Sequence, residues 1–453
     1  MAATGVNLAA SIRFECLDPP EKWISHGQAK QTYKHYRKST FWLPIVNSTP
    51  LVRLACQATM GAGDEQERSL GIIGNGQTKG SHPMAEYNSN PPRLLNLKAG
   101  DWVQVRSREE ILATLDEKGC LENMPFMPEM FAFCGQRFRV YKRAHKTCDT
   151  VFPVRGRRVD GTVHLETRCD GQAHGGCQAG CLIFWKEAWL IPISGSSPGD
   201  AVPRVEAHSG DISAASAAGC TESDVWARAK ASDADGGEPV YTCQATQLPY
   251  ATADLAWWDI RQYVEDYRSG NAGLWHILCG LVYSMYYNLS QAGIGLGPAM
   301  RWFYDEFHVL WRGTQFPRKR GIIPEGQPTP TATLNLQPGD LVRVKSQEEI
   351  LRTLNTNSKN RGLLFDAEMV PYCGETHRVL KRVTKILDEK TGKMQEMKNP
   401  CIILNSVVCQ SRYSECRMFC PRSIYSYWRE IWLERISSNA PDANEPKISQ
   451  SSN

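Results

Sequence analysis

The feature that most constrains this chain is an internal duplication. Asn96-Leu-Lys-Ala-Gly-Asp-Trp-Val-Gln-Val-Arg-Ser107 returns as Asn335-Leu-Gln-Pro-Gly-Asp-Leu-Val-Arg-Val-Lys-Ser346, and 13 of the first 24 aligned positions are identical. An offset of 239 residues holds without a gap through Phe126/Phe365, Glu129/Glu368, Met130/Met369, Cys134-Gly135/Cys373-Gly374 and Lys142-Arg143/Lys381-Arg382. After a variable stretch, Cys169, Cys177 and Cys181 face Cys409, Cys416 and Cys420, and Trp185-Lys-Glu-Ala-Trp189-Leu190 faces Trp428-Arg-Glu-Ile-Trp432-Leu433. A repeat of this length sets the architecture before any single element is assigned. One module occupies residues 96–193 and recurs at 335–436. A shorter echo precedes each copy, Cys56-Gln-Ala-Thr59 and Cys243-Gln-Ala-Thr246, and would carry the duplicated unit upstream.

Within a module the local signals are short-range. Val103 and Val105, like Val342 and Val344, alternate with polar residues, as a half-buried strand requires. Ser107 with Glu110, and Ser346 with Glu349, form the capping-box pattern that opens a helix, here with Ile111, Leu112 and Leu115 on one face. Gly135 and Gly374 suit a turn into a second strand. Residues 163–165 and 402–404 predict a third, and the tryptophan-rich ends a fourth in which Trp-x-Glu-x-Trp reads as simple alternation. Short strands with one short helix predict an α+β chain built on two duplicated small β-barrel modules. The two Gly-Asp-x-Val-x-Val phrases resemble the first strand of SH3-like and KOW-type barrels. Over the whole chain, Tyr372-Cys373-Gly374 and Trp428-Arg-Glu-Ile-Trp-Leu433 resemble a bacterial family of hypothetical proteins with tandem Cys-containing small β modules. That resemblance implies no catalytic residue.

Outside the modules, residues 1–95 form an N-terminal segment whose Gly-, Asn- and Ser-rich part predicts partial disorder. Residues 194–238 predict a flexible linker and 437–453 a disordered tail. Residues 239–330 predict a helical insertion. Trp257, Ile260, Val264 and Tyr267 recur at helical spacing, as do Phe303, Phe307, Leu310 and Trp311, with breaks at Gly270 and at 293–298. A helical hairpin packed on the modules is the plain reading. A membrane-surface helix over 274–287 is the sharper one, although its polar residues are mostly uncharged where such helices want a basic face. That run is too short to span a bilayer. The first 14 residues lack a basic region followed by an apolar core, so no secretory signal is expected and the expected compartment is cytoplasmic.

Sixteen cysteines in a chain expected to stay reduced lean toward metal ligands and buried thiols. The matched quartets are Cys134, Cys169, Cys177 and Cys181 in one module and Cys373, Cys409, Cys416 and Cys420 in the other. Three residues separate the last two cysteines of each, within the range of zinc knuckles. Each quartet could close a structural zinc site, pack as plain thiols or pair as disulfides. His174 lies inside the first loop, but the alignment offers no second histidine. Cys148 and Cys401 lie near the loops without aligning to each other.

No phosphate-binding glycine loop, nucleophile elbow or His-Glu-x-x-His motif is present. The matched acids Glu187/Glu430, Glu129/Glu368 and Asp101/Asp340 read as salt-bridge partners before they read as catalysts. A formal charge of +4 is too small to single out a nucleic-acid binder. The sequence leans away from catalysis and toward a binding or scaffold protein. Lys142, Arg143, Lys381 and Arg382, with Trp185 and Trp428, are its candidate contacts to an unknown protein or polyanion, nucleic acid included. An accessory enzyme or maturation factor with a site between modules and helices, and a peripheral membrane partner, are the alternatives.

Overall fold

The structure, a computed structural model, describes residues 95–151, 155–193, 219–231, 237–291, 295–310, 314–414 and 416–436. The readings for residues 1–94, 194–218 and 437–453 fall outside them. The chain mixes helices and strands as an α+β architecture.

The first module opens with β1 (Trp102–Val105) and α1 (Arg108–Leu112), whose capping box between Ser107 and Glu110 is formed as the sequence predicts. β2 (Arg137–Arg143), β3 (Lys146–Asp149), β4 (Arg155–Arg158), β5 (Thr162–Arg168), β6 (Leu182–Lys186) and β7 (Leu190–Pro192) follow. An antiparallel sheet runs in the order β6-β5-β2-β1-β7. Between the modules lie α2 (Glu222–Ala229), α3 (Gln244–Ala251), β8 (Ala253–Leu255), α4 (Arg261–Arg268), α5 (Leu274–Ser290) and α6 (Gly297–Leu310). The second module repeats the first with β9 (Leu341–Val344), α7 (Gln347–Leu351), β10 (Thr376–Leu387), β11 (Met394–Val408), β12 (Tyr425–Trp428) and β13 (Leu433–Arg435). Its sheet order, β12-β11-β10-β9-β13, is the same. Val103 pairs with Phe138 and Val342 with His377, so even the register is duplicated.

The cores explain why the repeat survives in these residues. Phe126 meets Trp189 edge-on at 5.3 Å and Phe365 meets Trp432 at 5.4 Å. Each tryptophan gives its indole N–H to a matched threonine, Thr114 or Thr353. A buried indole needs such a partner, so the pair Thr/Trp is one unit of the design. Glu187 accepts the backbone N–H groups of Leu95, Asn96 and Leu97 and pairs with Arg143 at 2.9 Å. Glu430 does the same for Leu334 and Leu336 and pairs with Arg382. Each acid thus pins the chain entering its module.

Two expectations are corrected. Trp-x-Glu-x-Trp is no continuous strand: Glu187–Trp189 and Glu430–Trp432 are 3-10 turns that swing the second tryptophan into the core. The linker expected over 194–238 contains α2, capped by Thr221 and burying Val225 against the first core.

The two modules clasp each other reciprocally. In the first module's loop, Gln178 Oε1 accepts from the Thr384 N–H at 2.7 Å, and the Gln178 N–H donates to the Lys385 carbonyl. The Lys385 ammonium donates to the Gly175 carbonyl at 2.9 Å. In return, Arg422 reaches from the second module's loop to the Cys148 carbonyl of the first module's β3 and binds Glu389 at 2.7 Å. Cys148 stands 239 residues before Leu387, whose N–H approaches the Cys177 sulfur at 3.3 Å. A loop of each copy therefore grips the hairpin of the other, the pattern of a two-fold interface within one chain.

Candidate functional site

Among the described residues, two places have the chemistry or the exposure to do something beyond holding the fold. One is a small cavity at the clasp; the other is the outer face of the helices.

The cavity is lined by Cys169, Cys177 and Cys181 of the first module's loop, by His174, by Cys243 and Gln244 at the start of α3, and by Leu387 and Arg422 from the second module. The Cys169 N–H donates to the Cys181 carbonyl, so these residues face each other as β5 and β6 run out. Gln244 fixes α3 by bonding both the N–H and the carbonyl of Phe184 on the exposed edge of β6. That places Cys243 at the cavity wall. Glu129, on the 3-10 turn Pro128–Phe133, reaches the loop from below. Its Oε1 lies 2.7 Å from His174 Nδ1, 3.2 Å from the Ala173 nitrogen and 3.7 Å from the Cys169 sulfur. His174 Nε2 lies 3.0 Å from the Thr242 carbonyl oxygen. Burial would raise the Glu129 carboxyl, but the hydrogen bond and charge of His174 outweigh it and hold the group below its ordinary value. Burial pushes the Cys181 thiol up to about 11 and Cys243 up to about 12, and Cys169 higher still. Thiols held protonated in this way are poor nucleophiles.

The second module uses the same frame differently. Glu368 accepts from the Tyr413 N–H at 2.5 Å and from the Ser414 hydroxyl at 3.5 Å. Ser414 therefore stands where His174 stands in the first copy. Without a histidine, burial raises Glu368 to about 7. Nearby, Cys148 is hydrogen-bonded to Cys420, which brings its thiol below its ordinary value with help from Arg422 and Arg417.

The predicted cysteine quartets do not close as quartets. Cys134 ends the 3-10 turn and packs on the first core, as Cys169 does, and Cys373 packs on the second; among the described residues no three sulfurs of either quartet converge as ligands do. Cys409 is half-buried beside Ser411, Cys420 is buried at the clasp, and Cys416 is disulfide-bonded. Among the described residues, the group whose donor atoms converge as metal ligands do is Glu129, Cys169 and His174, within 4.8 Å of one another. The echo Cys243-Gln-Ala-Thr246 signalled the fourth wall of the cavity, but only as a sequence boundary.

The predicted ligand contacts are also relocated. Trp185 and Trp428 are 0% exposed and belong to the cores, so they offer no stacking surface. Arg143 is committed to Glu187 and Glu265, and Arg382 to Glu430. Lys142 lies over the Tyr141 ring and near the Ser423 hydroxyl, and Lys381 is half-buried beside the thiol loop. In the basic run at 317–321, Arg318 donates to the Tyr413 carbonyl and Lys319 pairs with Asp305.

The helices present the second place. On α4 apolar residues share the outer side with the exposed Arg261 and Arg268. Gln262 and Asp266 point inward, where Asp266 takes the buried Lys146 ammonium at 2.6 Å. Ile260, Val264 and Tyr267 point outward. α5 carries no charged residue, and Leu274, Trp275, Leu278, Val282, Met285 and Leu289 are all exposed, Trp275 by 77%. Trp302, Phe303 and Phe307 on α6 are exposed as well. The inner face is narrower: Ile277 packs on Met418 and Phe419, and Tyr283 on Phe316 and Tyr413. α4 and α6 lie where the spacing predicts helices, although Trp257 sits in a turn before α4 and Trp311 falls outside the described residues; Val264, Tyr267, Phe303 and Phe307 are exposed, the reverse of a hairpin that buries that stripe. Among the described residues no helix is long and apolar enough to cross a membrane.

Comparison with family models, curated proteins and solved structures returns no match.

Proposed function

We propose that the chain is a non-catalytic binding protein that docks another protein surface on the outer face of α4–α6, with a second copy of the chain as the occupant. The observation that carries this is the exposed apolar stripe of α4 beside the charge-free α5. Asp266 and Gln262 of α4 are inside, while Val264, Tyr267 and the N-cap Ile260 are outside together with Arg261 and Arg268. Contiguous exposed apolar surface of this kind marks an interaction site.

The chemistry of the face favours protein over lipid. It is rich in Trp, Tyr, Phe and Met, the residues enriched at protein interfaces, and lacks lysine. A bilayer-surface helix would carry a basic polar side, which α5 lacks. α5 offers no charge for a partner to complement and is best matched by another apolar surface, and homodimer interfaces are the more apolar class. The two clasped modules, in this reading small SH3-like barrels, serve as the rigid body that holds the helices out.

Light scattering on the full chain tests it. The wild type should behave as a dimer, and the double variant Trp275→Glu/Val282→Glu as a monomer with unchanged far-UV circular dichroism. A wild type that is monomeric and co-sediments with zwitterionic liposomes would replace this reading with the lipid one.

A further inference from the structure

We propose that the first module holds one zinc ion at Glu129, Cys169 and His174, that Cys181 or Cys243 supplies the fourth ligand, and that the second module holds none.

Three donors of different types, one buried and two half-buried, converge at one point, and their types are those zinc accepts together: carboxylate oxygen, thiolate sulfur and imidazole nitrogen. The histidine is already oriented for the task. Its Nε2 is anchored on the Thr242 carbonyl, which leaves Nδ1 toward Glu129 and Cys169. Metal-ligating histidines characteristically donate their second nitrogen to a backbone carbonyl in this way. The other oxygen of Glu129 provides an independent sign. Glu129 Oε2 is buried with no hydrogen-bond partner, on a side chain 5% exposed. An unpaired buried carboxylate oxygen is costly unless something answers it, and a bound cation would. Cys181 lies opposite Cys169 across the strand ends, and Cys243 follows Thr242 directly, so these two cavity-lining thiols are the candidates for the fourth position, which either reaches by a shift of its side chain toward the three convergent donors. Cys177 is engaged with the Leu387 N–H instead.

The second module supplies the contrast. Glu368 and Cys409 keep their places, but Ser414 fills the histidine position and the carboxylate is satisfied by the Tyr413 N–H and the Ser414 hydroxyl. The loop is thus closed by hydrogen bonds in one copy and, in this proposal, by a metal in the other. Zinc takes thiolate and unprotonated imidazole nitrogen, so binding should weaken as pH falls.

The test is zinc reconstitution of the full chain under reducing conditions after chelation, with metal content read by mass spectrometry. The expected result is one zinc per chain. His174→Ser, which copies the second module's own solution, and Cys169→Ser should each lose it, while Cys409→Ser keeps it. Glu129→Gln, which removes a direct ligand, should weaken binding by more than the about ten- to hundredfold that loss of an outer-shell partner costs. Cobalt substitution should give thiolate-to-metal charge transfer that falls, without vanishing because Cys169 remains, in whichever of Cys181→Ser and Cys243→Ser removes the fourth ligand. If His174→Ser fails to fold, the Glu129→Gln affinity and the cobalt spectrum still decide. Zinc content far below one per chain, retention of zinc by a folded His174→Ser, or a second zinc lost in Cys409→Ser would each overturn the proposal. These readouts do not depend on self-association through the helices.

Discussion

Replacing Glu187 by alanine should cost far more than replacing Glu430, although the two sit in the same motif. In the first module the Glu187 carboxylate accepts three backbone N–H groups and pairs with Arg143, and the two side chains are only 3% and 11% exposed. Removing it leaves a buried guanidinium with Glu265 at 3.4 Å as its remaining acid, and strands three N–H donors. Breaking a buried pair by deleting one partner costs about 3–5 kcal/mol. In the second module Arg382 is 30% exposed, so water can replace the lost carboxylate. Its loss should cost about 1–3 kcal/mol, mostly from two unsatisfied amides. Urea unfolding followed by tryptophan fluorescence measures both, because each module buries its own indole pair, and a midpoint shift at constant slope reports stability. The double variant Arg143→Ala/Glu187→Ala should lose less than the sum of its singles. Equal costs for Glu187→Ala and Glu430→Ala, or the reverse order, would refute the burial argument.

Two further outcomes follow from the same geometry. Burial raises the Glu368 carboxyl to about 7 against an ordinary 4.5, so the folded state binds the extra proton between those values. Its contribution is therefore present below about pH 4.5 and lost as pH rises through about 7, and Glu368→Gln should flatten that slope in urea midpoints taken across the window. An unchanged slope would mean the carboxyl is not held protonated. Arg422→Met should loosen the clasp at a cost of about 2–4 kcal/mol, since a 2%-exposed guanidinium loses its bonds to Glu389 and the Cys148 carbonyl. Hydrogen exchange should rise in residues 146–158. Unchanged exchange there would show that the arginine does not hold the modules together.

What was legible in the sequence was whatever both copies state locally. Val103/Val342, the capping boxes and Gly135/Gly374 specify their strands, helices and turns over a few residues, and they form as read. Three-dimensional pairings were not legible from the repeat. Cys134 and Cys169 are matched in both copies, yet one closes a 3-10 turn and the other lines the cavity. Comparing copies also misdirected the reading of His174. Its lack of a matched histidine looked like a reason to set it aside, whereas Ser414 at that place shows that the two copies divided one position between two chemistries. Periodicity located α4 but is blind to which side of a helix meets the body of the protein. The buried Lys146 ammonium of β3, some 120 residues before Asp266, decides that side by demanding a carboxylate.

Hydrogen exchange at increasing protein concentration tests the proposed docking face most directly. Amides of residues 274–290 should become protected as concentration rises, while those of the clasp loop at 169–181 stay constant. Exchange in 274–290 that is independent of concentration, with the chain monomeric throughout, would contradict the account.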